Sequence, residues 1–346
     1  MDVYKLLRLN SRIKSHRLKF LGLWLLSVSG KRHLSIQLDP VLACNLRCTM
    51  CYFTDAEFVR KKMKGIMKKD DLARISDVIF KYALKLQIGC AAEPTLFKDN
   101  VRLVELAKEK KVPFISMVTN GNLLDKKQIF ELVSAGLDEF IISMHGVHKE
   151  TYEKFMGLAQ FEKFHETLSE ITAVKQQFPQ VKLRINYTFN SDNFGELRSF
   201  FERCGKYKID VIQLRPVDKI GESAYQNFSL KSIEDQYPDL VANFQEEAVK
   251  RNITLLFPAS VKRNENQSLK VAGNNDSSYL MPYTYCYVGP DFFWKDDFDW
   301  RNEGFAQWQA RNRWNWRLFK NIFVSKSTLA SLNRNMLNYD VEIHQT

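Results

Sequence analysis

Three cysteines crowd into one short run, Cys44-Asn-Leu-Arg-Cys48-Thr-Met-Cys51, with the spacing C-x3-C-x2-C. Thiolates are soft ligands suited to iron–sulfur clusters and to zinc. Three of them on one loop can bind three irons of a cubane, and with no fourth cysteine nearby one iron would lack a protein ligand. An incomplete shell keeps a coordination position for a substrate, the same logic that separates catalytic from structural zinc. Two alternatives stand beside that reading. One is a zinc site with Cys90 or a histidine as fourth ligand, although zinc motifs usually pair two C-x2-C halves. The other is three unligated buried cysteines. The remaining cysteines, Cys90, Cys204 and Cys286, are too few for a disulfide scaffold, so the triplet reads as metal ligation in a reducing compartment.

Such a loop needs strands that end beside it. From residue 33 to about 216, short apolar runs alternate with longer helical patterns, which predicts βα units and a parallel sheet. The expected strands are 33–38, 84–89, 113–118, 139–145, 181–189 and 209–215. A helix is expected after Asp70-Asp71, read as its N-cap, with Leu72, Ile75, Val78, Ile79 and Tyr82 on one face. Further helices are expected near 99–110, 126–135, 160–177 and 193–204. Several strands alternate rather than being wholly apolar: Leu183, Ile185 and Tyr187 share one face, Arg184, Asn186 and Thr188 the other. An apolar outer face under helices and a polar inner face describe a barrel whose lumen holds a polar ligand. The alternative is an antiparallel sheet with one wet face.

The expected fold is therefore α/β: a partial (β/α)6 TIM-like barrel with an N-terminal helical extension and a small aromatic-rich C-terminal region. A basic amphipathic extension covers 1–32, the barrel 33–230, and a cap or substrate region 231–346. Within that last region a helix is expected over 231–251, a short strand over 253–257 and a polar loop or linker over 262–279. Five of the six tryptophans fall between Trp294 and Trp316.

The cysteine triplet, placed after the first strand and followed in order by several strand-end motifs, resembles the radical S-adenosylmethionine (SAM) enzymes over about residues 33–216. The resemblance implies a [4Fe-4S] cluster on Cys44, Cys48 and Cys51, with SAM chelating the remaining iron. It implies reductive cleavage of SAM to methionine and a 5′-deoxyadenosyl radical that takes hydrogen from a substrate. It also implies a one-electron donor of the flavodoxin or ferredoxin type and a cytoplasmic setting.

The same resemblance assigns candidate SAM contacts. Gly89-Cys-Ala-Ala-Glu93-Pro94 is similar to the family's Gly-Gly-Glu-Pro segment, with Glu93 for the SAM amino group and Ala91 and Ala92 in place of two glycines. Thr119-Asn120-Gly121 is similar to the family's third strand end. Ser143-Met-His145-Gly146 occupies the position of Ser-x-Asp-Gly, with His145 replacing the acid. His145 is also a candidate substrate-side acid or base. Arg184 suits a carboxylate by bidentate pairing, Asn186 shares its face, Asn190 is placed to close that strand, and Gln213 and Arg215 lie on the sixth strand. Met50 stands where relatives often carry an aromatic residue. No catalytic residue beyond these is assigned.

Composition narrows less. Lys+Arg 51 against Asp+Glu 40 gives +11, which permits an anionic partner such as RNA or a membrane surface without selecting one. Runs such as Arg60-Lys61-Lys62 read equally as a solvated face. The Pro-Tyr-Thr-Tyr-Cys286-Tyr run resembles the start of the Cys-rich extension of peptide-modifying members, but no cysteine follows it, so no full auxiliary cluster is expected. A peptide or protein substrate is favoured, with an RNA-modifying enzyme and a non-catalytic Zn- or Fe-S-binding interaction protein as alternatives. The most apolar stretch, Phe20 to Val28, is too short to cross a bilayer. Residues 3–29 read as a basic, amphipathic helical lead-in, packed against the main domain or in weak peripheral contact with an anionic membrane.

Overall fold

The computed structural model describes residues 3–218, 222–262, 278–290, 292–331 and 341–344. Most of the loop expected over 262–279 lies outside the described residues. The six expected strands all form: β1 (Leu34–Leu38), β2 (Ala83–Ile88), β3 (Ile115–Thr119), β4 (Glu139–Met144), β5 (Lys182–Phe189) and β6 (Val211–Pro216). They pair in chain order, each parallel to the next.

The sheet continues past them. β7 (Thr254–Pro258), expected as a short strand, adds in parallel to β6. β8 (Tyr285–Gly289) adds in parallel to the other side of β1. It falls in the region expected as the cap, beyond the strand–helix alternation, and its pairing with the distant β1 leaves no local pattern. β9 (Phe292–Phe293) and β10 (Val341–His344) close the two edges in antiparallel fashion. The order β9-β8-β1-β2-β3-β4-β5-β6-β7-β10 has two free ends, so the barrel is open.

Helices cover the outside, as the alternation demands. Leu34, Ile36 and Leu38 and, on β5, Leu183, Ile185 and Phe189 are fully buried beneath them. The helix Phe161–Gln177 supplies Phe164, Leu168 and Ile171 to that layer. The helix expected after Asp70-Asp71 starts earlier, at Lys69–Ile79, with Lys68 in the cap position. The two acids lie in its first turn, where negative charge meets the helix N-terminus, and do not form the cap. The segment expected at 193–204 divides into a 3-10 turn, Phe194–Ser199, and a short helix, Phe200–Cys204.

The helical lead-in consists of two helices, Val3–Arg12 and His16–Val28. Ser15 interrupts it by accepting a hydrogen bond from Leu18 N, since a serine side chain competes for backbone donors and favours a helix start. The aromatic tail packs onto the main core: Trp308 lies 5.0 Å from Trp314 and 5.7 Å from Phe305, and Phe305 lies 4.9 Å from Tyr82, ring centre to ring centre. Among the described residues no helix is long and apolar enough to cross a membrane.

Candidate functional site

The cysteine loop leaves β1 after Asp39 and is held at both ends. Arg47 and Cys48 pair in antiparallel fashion with Gly157 and Met156, and Thr49 N donates to Phe155 O at 2.9 Å. Cys51 N donates back to Cys48 O at 2.9 Å, which tightens the C-x2-C half. All three cysteines are free and half-buried. Burial pushes the Cys44 thiol up to about 11 and raises those of Cys48 and Cys51. Without a cation the loop would stay protonated, and a bound metal would displace those protons. Among the described residues no three Cys, His, Asp or Glu side chains converge as one ion requires. A cubane takes each thiolate on a different iron and needs no such convergence. Met50 touches the buried Asn190, whose Nδ2 lies 3.5 Å from the thioether sulfur. Asn190 also closes the turn after β5 by accepting from Asp192 N and Asn193 N.

The segment after β2 is fixed by Asp39, fully buried. Its Oδ1 accepts from Cys90 N at 2.8 Å, and its Oδ2 from Ala91 N and Tyr287 Oη, each at 2.9 Å. Burial raises this carboxyl, and those donors pull it back. Gly89 makes the turn possible: its φ is +81°, and a Cβ there would sit 2.4 Å from Val118 O. Sequence reasoning missed Asp39 and Tyr287. An acid ending an apolar strand was the available signal, because a buried carboxylate must find donors.

Glu93 ties this segment to its neighbours. Its Oε1 accepts from Thr95 N, Thr95 Oγ1 and Thr119 Oγ1, and its Oε2 from Asn120 N at 2.8 Å. Glu93 N donates to Ala43 O at 2.9 Å, and Asn120 Nδ2 donates to Asn45 Oδ1 at 2.8 Å. The ends of β2 and β3 are thereby bonded to the cysteine loop. Burial raises the Glu93 carboxyl, opposed by the same donors.

On the far side of the lumen Ser143, Asn186 and Gln213 stand in one row across β4, β5 and β6. Arg184, one row deeper, donates through Nε to Asn186 Oδ1 at 2.8 Å, through Nη2 to Gln213 Oε1 and through Nη1 to Tyr4 Oη at 3.3 Å. Tyr4, from the first helix, donates to Glu139, so the lead-in plugs the N-terminal end of the barrel. Neither Tyr4 nor Glu139 was read as part of the site, since their pairing spans 135 residues of sequence.

Nearer the C-terminal mouth, His145 Nδ1 is buried without a protein partner. Burial and the nearby Arg215 hold its imidazole down to about 4, so it is neutral at neutral pH. Cys90 is exposed, with Sγ 3.7 Å from Tyr285 Oη. Lys85, on the inward face of β2, is held down to about 8 by burial. Cys286 is fully buried on the helix-covered face of β8, a core position. The structure thus gathers the sequence candidates in two groups: Glu93 and Asn120 on the side of the cysteines, and Ser143, Arg184, Asn186 and Gln213 across the lumen, with His145 above the second.

Residues 39–189 match the family model described as Radical SAM superfamily. The chain is 30% identical over 197 residues to a protein named "Probable GTP 3',8-cyclase" from Saccharolobus solfataricus, covering 56% of this chain and 61% of that protein. It is 24% identical over 210 residues to one of the same name from Sulfolobus acidocaldarius, covering 60% of this chain and 64% of that one. The chain therefore spans about three fifths of the length of these curated relatives. Among solved structures it is similar to Streptococcus suis SuiB bound to S-adenosylmethionine, with a TM-score of 0.57 at 15% identity over 79% of this chain and 62% of that chain. It is similar to anSMEcpe with bound AdoMet at 0.51 and 22% identity, over 62% of this chain and 61% of that chain. At these identities the structural likeness shows the fold alone.

Proposed function

We propose, on the premise that residues 39–189 belong to the radical SAM superfamily, that Cys44, Cys48 and Cys51 hold a [4Fe-4S] cluster and that SAM binds beside it to initiate hydrogen abstraction from a substrate at the barrel mouth. The observation that carries this reading is the bonding of the cysteine loop to the ends of β2 and β3 through Asn45–Asn120 and Ala43–Glu93. When bound, the cluster supplies the electron that splits SAM into methionine and a 5′-deoxyadenosyl radical.

The chain's own residues bind and orient. Oε2 of Glu93 takes one hydrogen bond, from Asn120 N, and keeps acceptor capacity for an ammonium group. The unpartnered Nδ1 of neutral His145 and the row Ser143, Asn186 and Gln213 offer donors and acceptors for a polar ligand. Arg184 acts as a positioning residue that fixes Asn186 and Gln213. An external one-electron carrier of the flavodoxin or ferredoxin type completes the cycle.

For the substrate we favour a peptide or protein. Support comes from the fold neighbour SuiB, solved with the precursor peptide SuiA. The second reading is GTP. It is favoured by the relatives' name and by Lys85 and Arg215, which place cationic groups around the lumen and suit an anionic substrate. Anaerobic reconstitution with iron and sulfide, then SAM and dithionite, should yield 5′-deoxyadenosine, and Cys48→Ala should abolish it. Absence of product from the reconstituted native chain overturns the proposal. Deuterium transfer into 5′-deoxyadenosine from labelled peptide or from labelled GTP separates the two substrate readings.

A further inference from the structure

We infer that the face formed by the helices His16–Val28 and Trp314–Asn321 docks the protein on an anionic phospholipid surface. This goes beyond the catalytic reading and does not depend on it. The first of these helices is anchored through Phe20, whose ring centre lies 5.8 Å from those of Tyr279 and of Tyr283, and through Leu23. Its opposite side should then be polar. Instead Leu18, Leu21, Leu25 and Val28, spaced as one stripe, are between 38 and 60% exposed. A helix apolar on both sides is normally covered on both.

The stripe has an aromatic continuation. Trp24 lies 5.4 Å from Phe319, which in turn lies 5.7 Å from Trp316 and 5.4 Å from Phe323. Trp316 is 56% and Phe323 68% exposed. Aromatic rings of this kind sit well at the boundary between headgroup and acyl chain.

Charge selects the occupant. The sequence holds no Asp or Glu from residue 3 to 38, nor from 304 to 331. Exposed Arg17, Arg313, Arg317 and Lys320 border the apolar residues with nothing acidic on either helix. A second copy of the chain would bring like charge against like charge. An RNA would match the charge but leave the aliphatic stripe in water. An anionic bilayer satisfies both, with the helix lying in the interface plane, since thirteen residues are too few to span it.

Flotation of the full chain with phosphatidylglycerol-containing vesicles against pure phosphatidylcholine vesicles tests this. The expected result is co-flotation with the anionic vesicles at low salt, reduced about tenfold or more on the neutral ones. Leu25→Glu with Phe323→Glu should abolish it at unchanged melting temperature. If that pair lowers the melting temperature, Arg17→Glu with Arg317→Glu, which changes exposed charge alone, must weaken flotation by a similar factor. No flotation at low salt overturns the proposal. So does flotation that survives both pairs, tRNA binding lost with the arginines and retained by Leu25→Glu with Phe323→Glu in a chain that does not float, or a lipid-free dimer that Leu25→Glu with Phe323→Glu splits.

Discussion

Tyr4 reaches from the first helix into the barrel and donates its hydroxyl to Glu139, the first residue of β4. Tyr4 also accepts from Arg184, whose other nitrogens hold Asn186 and Gln213. The chain's beginning is thereby linked to the row that faces the proposed SAM site.

Tyr4→Phe removes one hydroxyl and leaves a buried carboxylate short of a donor. A buried acceptor left unsatisfied costs about 1–3 kcal/mol. Thermal melting should show that loss, and SAM affinity should fall with it. Unchanged melting and unchanged SAM binding would show that the plug is decorative.

Glu93→Gln exchanges four accepted hydrogen bonds for an amide that cannot accept them all. The charge that would meet the SAM ammonium disappears as well. A charge-assisted hydrogen bond of about 1.5–3 kcal/mol predicts a SAM dissociation constant raised roughly 10- to 100-fold, measured by calorimetry on the reconstituted protein. Affinity within about twofold of the native value would place the SAM amino group elsewhere.

Gly89→Ala places a Cβ 2.4 Å from Val118 O at a φ of +81°. The turn that carries Cys90 and Ala91 to Asp39 must then shift. Strain at such a position costs about 1–3 kcal/mol. The expected outcome is a lower melting temperature together with lower iron content after reconstitution, and a native-like variant in both respects would contradict it.

Much of this was legible from residues. The six barrel strands declared themselves as short apolar runs between helical patterns, and several of them by alternation; Leu183 to Phe189 on β5 is the clearest case, because period two marks a sheet with different faces. The cysteine loop declared itself by spacing. β8 did not, because Tyr285 to Gly289 follows the break in the strand–helix alternation and pairs with the distant β1. Asp39, Tyr4 and Glu139 were missed for a different reason. Their importance lies in partners 51 to 248 residues away in sequence, which no local pattern encodes.

His145 gives a pH signature. Burial first, and Arg215 second, hold its folded value down to about 4 against an ordinary value of 6.5. Between those values the unfolded chain binds a proton that the native chain does not, so this histidine subtracts stability as pH falls through that window. Melting temperatures of native and His145→Gln protein, compared from pH 7 downward, should show the native chain losing ground to the variant. A constant difference across the window contradicts the assignment.

The central claim is that three sulfurs leave one iron open to SAM. Electron paramagnetic resonance of the anaerobically reconstituted, dithionite-reduced chain, recorded before and after SAM is added, tests it most directly. The account predicts a reduced-cluster signal whose shape changes with SAM and which is missing from Cys48→Ala. A zinc-loaded protein without that signal, or a cluster signal indifferent to SAM, would contradict it.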